Sequence, residues 1–209
     1  MILKLFVLNA IQTNTWVLTD EETKDTVIID LGGDYKKVFS YIKEIGGNLK
    51  YILCTHGHFD HIMGIPDMQK DGFDIPVYIN KNDEELATKH LNDTLHMFGL
   101  EGNYPKIKIS GYLDSQTELF IGNKKIKVIE TPGHTKGGVC FLTDNLLFSG
   151  DTLFRREIGR CDLEGGDYGT IINSLKTKLL PLDDDIKVYP GHDASTTMGE
   201  EKKYNRYFQ

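Results

Sequence analysis

Four strand-like runs in the sequence each lead into a histidine or an aspartate, and this repetition constrains the fold more than any other feature. The runs are Tyr51–Cys54 before His56, Lys127–Glu130 before His134, Leu146–Phe148 before Asp151, and Ile186–Tyr189 before His192. Runs of this length and composition predict buried β-strands. Rigid strands that carry metal-ligand residue types at their ends are what a precise metal site requires. The sequence therefore predicts a metal centre formed at the ends of several strands.

The densest part of this pattern is the run Thr55-His56-Gly57-His58-Phe59-Asp60-His61. Residues two apart in an extended segment face the same way, so His56 and His58 can reach one ion. The chain then turns into a helix, and Asp60 and His61 can turn toward a second ion. Two dications about 3.5–4 Å apart repel each other, and a carboxylate that bridges them offsets the repulsion. Asp151, which arrives on its own strand, is the natural bridge.

The remaining pattern alternates strands and helices without a repeat or a linker, so we expect one domain over residues 1–209. Strand-like runs occur at Leu3–Leu8, Trp16–Thr19, Thr26–Ile29 and Pro76–Ile79, and helical patterns occur at Asp34–Ile45, Lys81–Met97, Tyr168–Leu180 and from Thr196 onward. This order predicts an α/β fold in which two sheets pack together with helices outside.

Composition excludes several classes of partner. Lys and Arg number 24 against 31 Asp and Glu, giving a net charge of -7, which repels phosphate backbones and argues against a nucleic-acid partner. No apolar run reaches the length of about 18 residues that a membrane-spanning helix needs. The first apolar residues lack the charged start of a secretory leader, so we interpret them as a strand. Three widely spaced cysteines fit reduced thiols, which predicts a cytoplasmic protein.

With these residues assembled, the chain resembles the metallo-β-lactamase superfamily and, within it, the short glyoxalase II-like hydrolases. The resemblance covers nearly the whole chain. It rests on residues 27–33, the 55–61 motif, Thr131–Thr135, Gly150–Phe154, Ile158–Asp162, Tyr189–His192 and Thr196–Glu200.

The resemblance implies a four-layer αβ/βα sandwich of two mixed β-sheets and a ligand set for two ions. By this analogy His56, His58 and His134 hold the first ion, Asp60, His61 and His192 hold the second, and Asp151 bridges them. Imidazole and carboxylate ligands suit divalent first-row ions, with zinc expected first and iron or manganese as alternatives.

The chemistry implied by the resemblance is hydrolysis of a small-molecule thioester, such as a glutathione conjugate. A hydroxide that bridges the ions would attack the carbonyl, and Asp60 and Asp151 would be the catalytic carboxylates. Arg160 matches a basic glutathione-contacting position of the family, whereas Asp162 replaces a substrate-contacting Tyr. Asp30 is expected either to form a turn or to support the metal ligands from behind. True β-lactamases lack a bridging carboxylate at the Asp151 position, so antibiotic hydrolysis is not expected.

Other functions remain open at this point. A persulfide dioxygenase with one iron, held by the equivalents of His56, His134 and Asp151, occurs on the same fold, and the ligand residues do not separate it from the hydrolase. The segment 158–162 favours the hydrolase. Lactone hydrolysis is a minor alternative, and the acidic balance argues against a nuclease. The sequence does not indicate an oligomeric state.

Overall fold

A computed structural model of the chain describes residues 1–88 and 106–209. The chain divides into two compact units, one made of residues 1–112 and 121–123 and the other of residues 113–120 and 124–209. The prediction that residues 1–209 form a single domain stays a prediction. Within the described ranges, no helix is long and apolar enough to cross a membrane.

The first unit is built on a six-stranded mixed sheet whose strands follow chain order. They are β1 (Ile2–Leu8), β2 (Thr13–Thr19), β3 (Asp25–Ile29), β4 (Asn48–Leu53), β5 (Val77–Ile79) and β6 (Gly111–Tyr112). β1, β2 and β3 pair antiparallel, whereas β3, β4, β5 and β6 pair parallel. In a parallel arrangement the strand ends meet at one edge, so the segments that follow β3 and β4 come together there.

The helices of this unit are α1 (Tyr35–Glu44), α2 (Phe59–Ile62), α3 (Gly64–Lys70) and α4 (Glu84–Thr88), the last preceded by a 3₁₀ turn at Lys81–Asp83. The Asp34 carboxylate caps α1 by accepting from the backbone N–H groups of residues 36 and 37. The apolar face of α1, with Val38 and Ile42, joins the core that contains Ile28 and Ile52 of the sheet. The predicted helix at 34–45 is thereby confirmed. Of the helical pattern at 81–97, residues beyond 88 lie outside the described residues.

A second six-stranded mixed sheet consists of the strands β7 (Leu119–Ile121), β8 (Lys124–Glu130), β9 (Val139–Thr143), β10 (Leu146–Gly150), β13 (Lys187–Pro190) and β14 (Thr196–Thr197). A separate hairpin consists of β11 (Leu153–Phe154) and β12 (Glu157–Ile158). The order of strands in the sheet is β14-β13-β10-β9-β8-β7. β10 and β13 are parallel neighbours, whereas β8–β9, β9–β10 and β13–β14 are antiparallel. The two parallel strands therefore bring the segments after 150 and 190 to the same edge.

Helices of the second unit complete its core. α5 (Tyr168–Ser174) continues into a π-helical turn at Leu175–Leu179, and α6 (Met198–Tyr204) is followed by a 3₁₀ turn at Arg206–Phe208. Ile171, Leu175 and Leu179 recur at intervals of four residues and are fully buried in one cluster with Leu147 and Val188. Two mixed sheets with helices confirm the predicted α/β class.

Candidate metal centre

The histidine-rich run begins directly after β4 and passes into α2. His56, Asp60 and His61 are buried, and His58 is half-buried. The possible ligand atoms of His56 and His58, of His56 and His61, and of Asp60 and His61 lie within 4.8 Å of one another. The first unit therefore brings together all four residues that the motif predicted as ligands within residues 56–61.

Asp30, which follows β3, contacts this run through both carboxylate oxygens. Its Oδ1 accepts the backbone N–H of Thr55 at 2.7 Å. Its Oδ2 accepts the Thr55 hydroxyl at 2.8 Å and lies 2.8 Å from Nδ1 of His61. Since a carboxylate accepts, Nδ1 of His61 carries the hydrogen and its Nε2 presents a lone pair. Asp30 thus orients the ring of His61.

The same network extends to His56. Its Nδ1 lies 3.0 Å from the hydroxyl oxygen of Thr55, which has already donated its hydrogen to Asp30. The Thr55 oxygen is therefore the acceptor, and Nε2 of His56 is the nitrogen left with a lone pair. Histidine ligands of metals are commonly fixed in this way through the second ring nitrogen.

In the second unit, His134, Asp151 and His192 come together around one carboxylate oxygen. Oδ2 of Asp151 lies 3.6 Å from Nε2 of His134 and 3.7 Å from Nε2 of His192. Nδ1 of His134 lies 2.7 Å from the carbonyl oxygen of Arg160, so this ring also keeps its hydrogen on Nδ1 and its lone pair on Nε2.

The distances between these atoms fit a metal ion better than they fit hydrogen bonds. Within the first unit, Nε2 of His61 lies 3.4 Å from Oδ2 of Asp60. Two ligands of one tetrahedral zinc ion, with bonds of about 2.0–2.2 Å, lie about 3.4 Å apart. The three nitrogen–oxygen distances of 3.4, 3.6 and 3.7 Å cluster near that value. Hydrogen bonds to nitrogen are shorter, at about 2.9 Å. The donor set, made of imidazole nitrogens and carboxylate oxygens, is the one that zinc and related first-row ions prefer.

Two glycines allow the second-unit residues to approach each other. A Cβ atom at Gly159 would lie 1.8 Å from the carbonyl oxygen of Asp151 and 3.0 Å from Nδ1 of His134. Gly133 has a φ of 135°, and a Cβ atom there would lie 2.3 Å from the backbone nitrogen of Ile171. Only glycine fits such close approaches of backbone to backbone.

Arg160 contributes a backbone carbonyl to this cluster, while its side chain is engaged elsewhere. The guanidinium donates two hydrogen bonds, of 2.7 and 2.8 Å, to the carboxylate of Asp162. Both side chains are exposed, and the pairing with Arg160 lowers the pKa of Asp162 to about 2. The role of Arg160 in substrate binding stays a prediction.

The sequence analysis did not single out three residues that contact the histidine-rich run. Asp83, which is buried, accepts the backbone N–H of Gly57 at 2.9 Å. Asn9 and Thr13 contact Asp60 from the β1–β2 connection. These residues lie 26 to 51 positions from their partners in the chain, so local spacing holds no signal for them.

Comparison with known proteins identifies relatives over almost the entire chain. A family model for the metallo-beta-lactamase superfamily matches residues 8–192. The hydroxyacylglutathione hydrolase GloC of Haemophilus influenzae is 34% identical over 210 residues, covering 99% of this chain and 98% of the relative.

Two solved structures are similar over nearly their full lengths. The BLEG-1 B3 metallo-beta-lactamase has a TM-score of 0.89 and 35% identity and covers 100% of both chains. TTHA1623 in a di-iron-bound form has a TM-score of 0.86 and 30% identity and covers 98% of this chain and 99% of that chain.

Proposed function

The chain belongs to the metallo-beta-lactamase superfamily of metal-dependent hydrolases and has its fold of two mixed β-sheets with helices, and from this premise we propose that it hydrolyses thioesters with two divalent ions. The observation that carries the proposal is the orientation of the imidazoles. His56, His61 and His134 each direct Nδ1 to an acceptor of the protein, so the lone pair of each neutral ring is on Nε2. Histidine ligands of metals are commonly oriented in this way, which supports the proposal.

We assign the ligands as the family resemblance implies. His56, His58 and His134 would hold one ion, Asp60, His61 and His192 would hold the other, and Asp151 would be a ligand of both. When bound, divalent ions would lower the pKa of a water molecule toward about 7 and polarise a carbonyl oxygen. Asp60 would orient the attacking water, and Asp151 would keep the two sets of ligands at a fixed spacing. Zinc is the proposed metal, and the di-iron form of TTHA1623 makes iron the main alternative.

The proposed substrate is a glutathione thioester. The support is the name of the Haemophilus influenzae relative, a hydroxyacylglutathione hydrolase, together with the basic residue at position 160. The match covers 98% of that relative's length.

The decisive experiment combines metal analysis with a substrate panel. Mild purification followed by elemental analysis is expected to give two first-row ions per chain. The panel contains S-lactoylglutathione, a small neutral thioester, a lactone and a chromogenic cephalosporin, and the glutathione thioester is expected to have the highest kcat/KM. The cephalosporin is included because the structurally similar BLEG-1 is a B3 metallo-beta-lactamase. A preference for it would replace the thioesterase proposal. One equivalent of iron with persulfide-dependent oxygen uptake would establish the dioxygenase instead.

Two variants test the proposed role of Asp151 as the ligand shared by both ions. Asp151→Ala is expected to abolish turnover and to deplete at least one ion, because both ions lose a shared anionic ligand. Asp60→Ala is expected to lower turnover more than total metal, because only one site is directly affected. Wild-type turnover by a metal-replete Asp151→Ala protein would remove Asp151 from the proposal.

A further inference from the structure

Asp60 is held by two residues of the β1–β2 connection. Thr13, the fully buried first residue of β2, donates its hydroxyl hydrogen to Oδ2 of Asp60 at 2.8 Å. Asn9, in the turn before β2, donates from Nδ2 to the backbone carbonyl of Asp60 at 3.0 Å and to that of Gly32 at 2.7 Å. Nδ2 also lies 3.0 Å from the Thr13 hydroxyl oxygen, so its two hydrogens are shared among three acceptors. The side chain and the backbone of Asp60 are thus fixed by neighbours that contact each other.

The direction of these hydrogen bonds follows from their partners. Oδ1 of Asn9 accepts the backbone N–H of Ile11 at 2.8 Å, and Nδ2 faces two carbonyl oxygens, which only accept. The amide therefore has one satisfactory orientation. Because the Asp60 carboxylate only accepts, the hydroxyl hydrogen of Thr13 is directed to its Oδ2.

The local backbone is adapted to this contact. Asn9 has a φ of 56°, in the left-handed region where asparagine is among the most tolerated side chains. Thr13 and Thr15 are two apart on β2 and face the same side of the strand. The hydroxyl of Thr15, which is also fully buried, accepts the backbone N–H of Gly32 at 3.1 Å. Thr13 contacts the carboxylate, whereas Thr15 contacts only the neighbouring loop.

We propose that Thr13 and Asn9 are positioning residues that orient Asp60 as a ligand of the ion it shares with His61. Oδ2 of Asp60 lies 3.4 Å from Nε2 of His61, which is the separation expected for two ligands of one ion. A carboxylate oxygen can accept the Thr13 hydrogen and still offer a lone pair to a cation. The inference rests on the proposed function, since it requires that Asp60 binds metal.

The test compares zinc affinity and stability in four metal-free proteins, namely the wild type, Thr13→Val, Thr13→Ser and Thr15→Val. Valine matches the shape of threonine without its hydroxyl. Zinc is titrated against a chromogenic chelator, and chemical denaturation of the same metal-free samples measures stability. Thr13→Val is expected to weaken one of the two zinc-binding steps about 10- to 100-fold, the usual effect of removing a partner of a metal ligand. Thr13→Ser retains the hydroxyl and is expected to restore wild-type affinity.

Thr15→Val is the matched control, because it removes a buried hydroxyl from the same face of the same strand. It is expected to lose stability as Thr13→Val does while keeping wild-type zinc affinity. Equal zinc affinity in Thr13→Val and the wild type, or equal weakening in both valine variants, would overturn the inference. Should Thr13→Val fail to fold, Asn9→Asp replaces the donor nitrogen with an acceptor at the same backbone conformation, and unchanged affinity there would overturn it too. A wild type that binds fewer than two ions overturns the proposed function as well, whereas the other outcomes leave that function intact.

Discussion

At the residue scale, one carboxylate, that of Asp30, contacts His61 directly and His56 through the hydroxyl of Thr55. Asp30 accepts three hydrogen bonds, two at Oδ2 and one at Oδ1, from the Thr55 backbone, the Thr55 hydroxyl and His61. An asparagine has a single acceptor oxygen, so either orientation of its amide sets a donor against a donor. Asp30→Asn is therefore expected to weaken metal binding about 10- to 100-fold. Competition with a chelator measures this loss, and asparagine tolerates the φ of 56° at position 30.

The control for this change is Asp20→Asn. Asp20 also follows a strand and accepts three hydrogen bonds, from Glu22 and Thr23, but all of them reach Oδ1. An amide can preserve these contacts, and none of them involves a histidine. Metal affinity in Asp20→Asn should equal that of the wild type. If Asp30→Asn also kept wild-type affinity, the support that Asp30 gives to His61 would be irrelevant to metal binding.

In the proposed role of Arg160, a carboxylate of the substrate competes with Asp162 for the guanidinium group. Its pair with Asp162 is exposed, so solvent screens the attraction and a substrate carboxylate can displace Asp162. Arg160→Ala is expected to raise KM for a glutathione thioester about 5- to 100-fold with kcat nearly unchanged. Asp162→Asn is expected to lower that KM, because the guanidinium is released. Steady-state kinetics on a glutathione thioester and on a small neutral thioester measure both effects.

The outcome that contradicts this role is a fall in kcat for both substrates in both variants, which would show that the pair only braces its loop. The charge of Asp162 does not change over the pH range of an ordinary kinetic assay. The pKa of Asp162 is lowered to about 2, so its side of the pair is intact above the ordinary carboxyl range and is lost only as the pH falls through about 2. Any dependence of KM on pH near neutrality must therefore come from the titration of other groups.

At the scale of elements, the turn before His134 depends on close packing against α5. A Cβ atom on Gly133 would lie 2.3 and 2.4 Å from the backbone nitrogen and Cα of Ile171, and the φ of 135° disfavours any other residue. Gly133→Ala is expected to lower the free energy of unfolding by at least about 2 kcal/mol, through strain and overpacking together. Urea denaturation of metal-free protein measures this, and zinc titration reports the accompanying displacement of His134.

Gly46→Ala is a useful control for that experiment, because Gly46 also has a positive φ, of 66°, but apart from its chain neighbours no atom of the described residues lies within 4 Å of its Cβ position. Gly46→Ala is therefore expected to lower the free energy of unfolding only through its backbone conformation, by about 1 kcal/mol. Similar losses in the two variants would show that contact with α5 is unimportant.

The elements that the sequence predicted well are those with a strong local pattern. β3, β4, β10 and β13 are runs of apolar residues, and α1 combines a cap at Asp34 with regular apolar spacing. β2 begins at Thr13, three residues before the predicted start at Trp16, because residues 13–15 pair with residues 6–8 of β1. Their polar side chains gave no apolar signal for this pairing. The hairpin of β11 and β12 has only two residues in each strand, too few for any periodicity.

The candidate ligands could be predicted from the sequence because they, too, have a strong local pattern. Histidine and aspartate at strand ends combine two local signals, residue type and position. The residues that orient them, Asn9, Thr13 and Asp83, have ordinary polar side chains, and their contacts depend on how strands and loops pack. Such contacts require tertiary structure.

At the scale of the whole molecule, we expect the proposed metal binding to be coupled to folding, because the proposed ligands are far apart in the sequence. Residues 56 and 61 follow β4, whereas Asp151 follows β10, so an unfolded chain offers no comparable site. An ion that binds only the folded state adds about 2.7 kcal/mol of stability at a free concentration 100 times its Kd. For a chain of this size each kcal/mol corresponds to about 2–4 °C in Tm. Each tightly bound ion is thus expected to raise Tm by about 5–10 °C.

Differential scanning calorimetry of metal-free and zinc-loaded protein tests this coupling, with Asp151→Ala as the informative variant. Without metal, the variant and the wild type are expected to have similar Tm values, because the proposed role of Asp151 is exercised through an ion. With zinc, the wild type should gain the full increment, whereas the variant should gain half of it or less, because at least one ion is lost. A variant that responds to zinc as the wild type does would show that Asp151 is not a ligand, however close it lies to the two imidazoles. A wild type with no response would show that the cluster of histidines is a feature of packing alone.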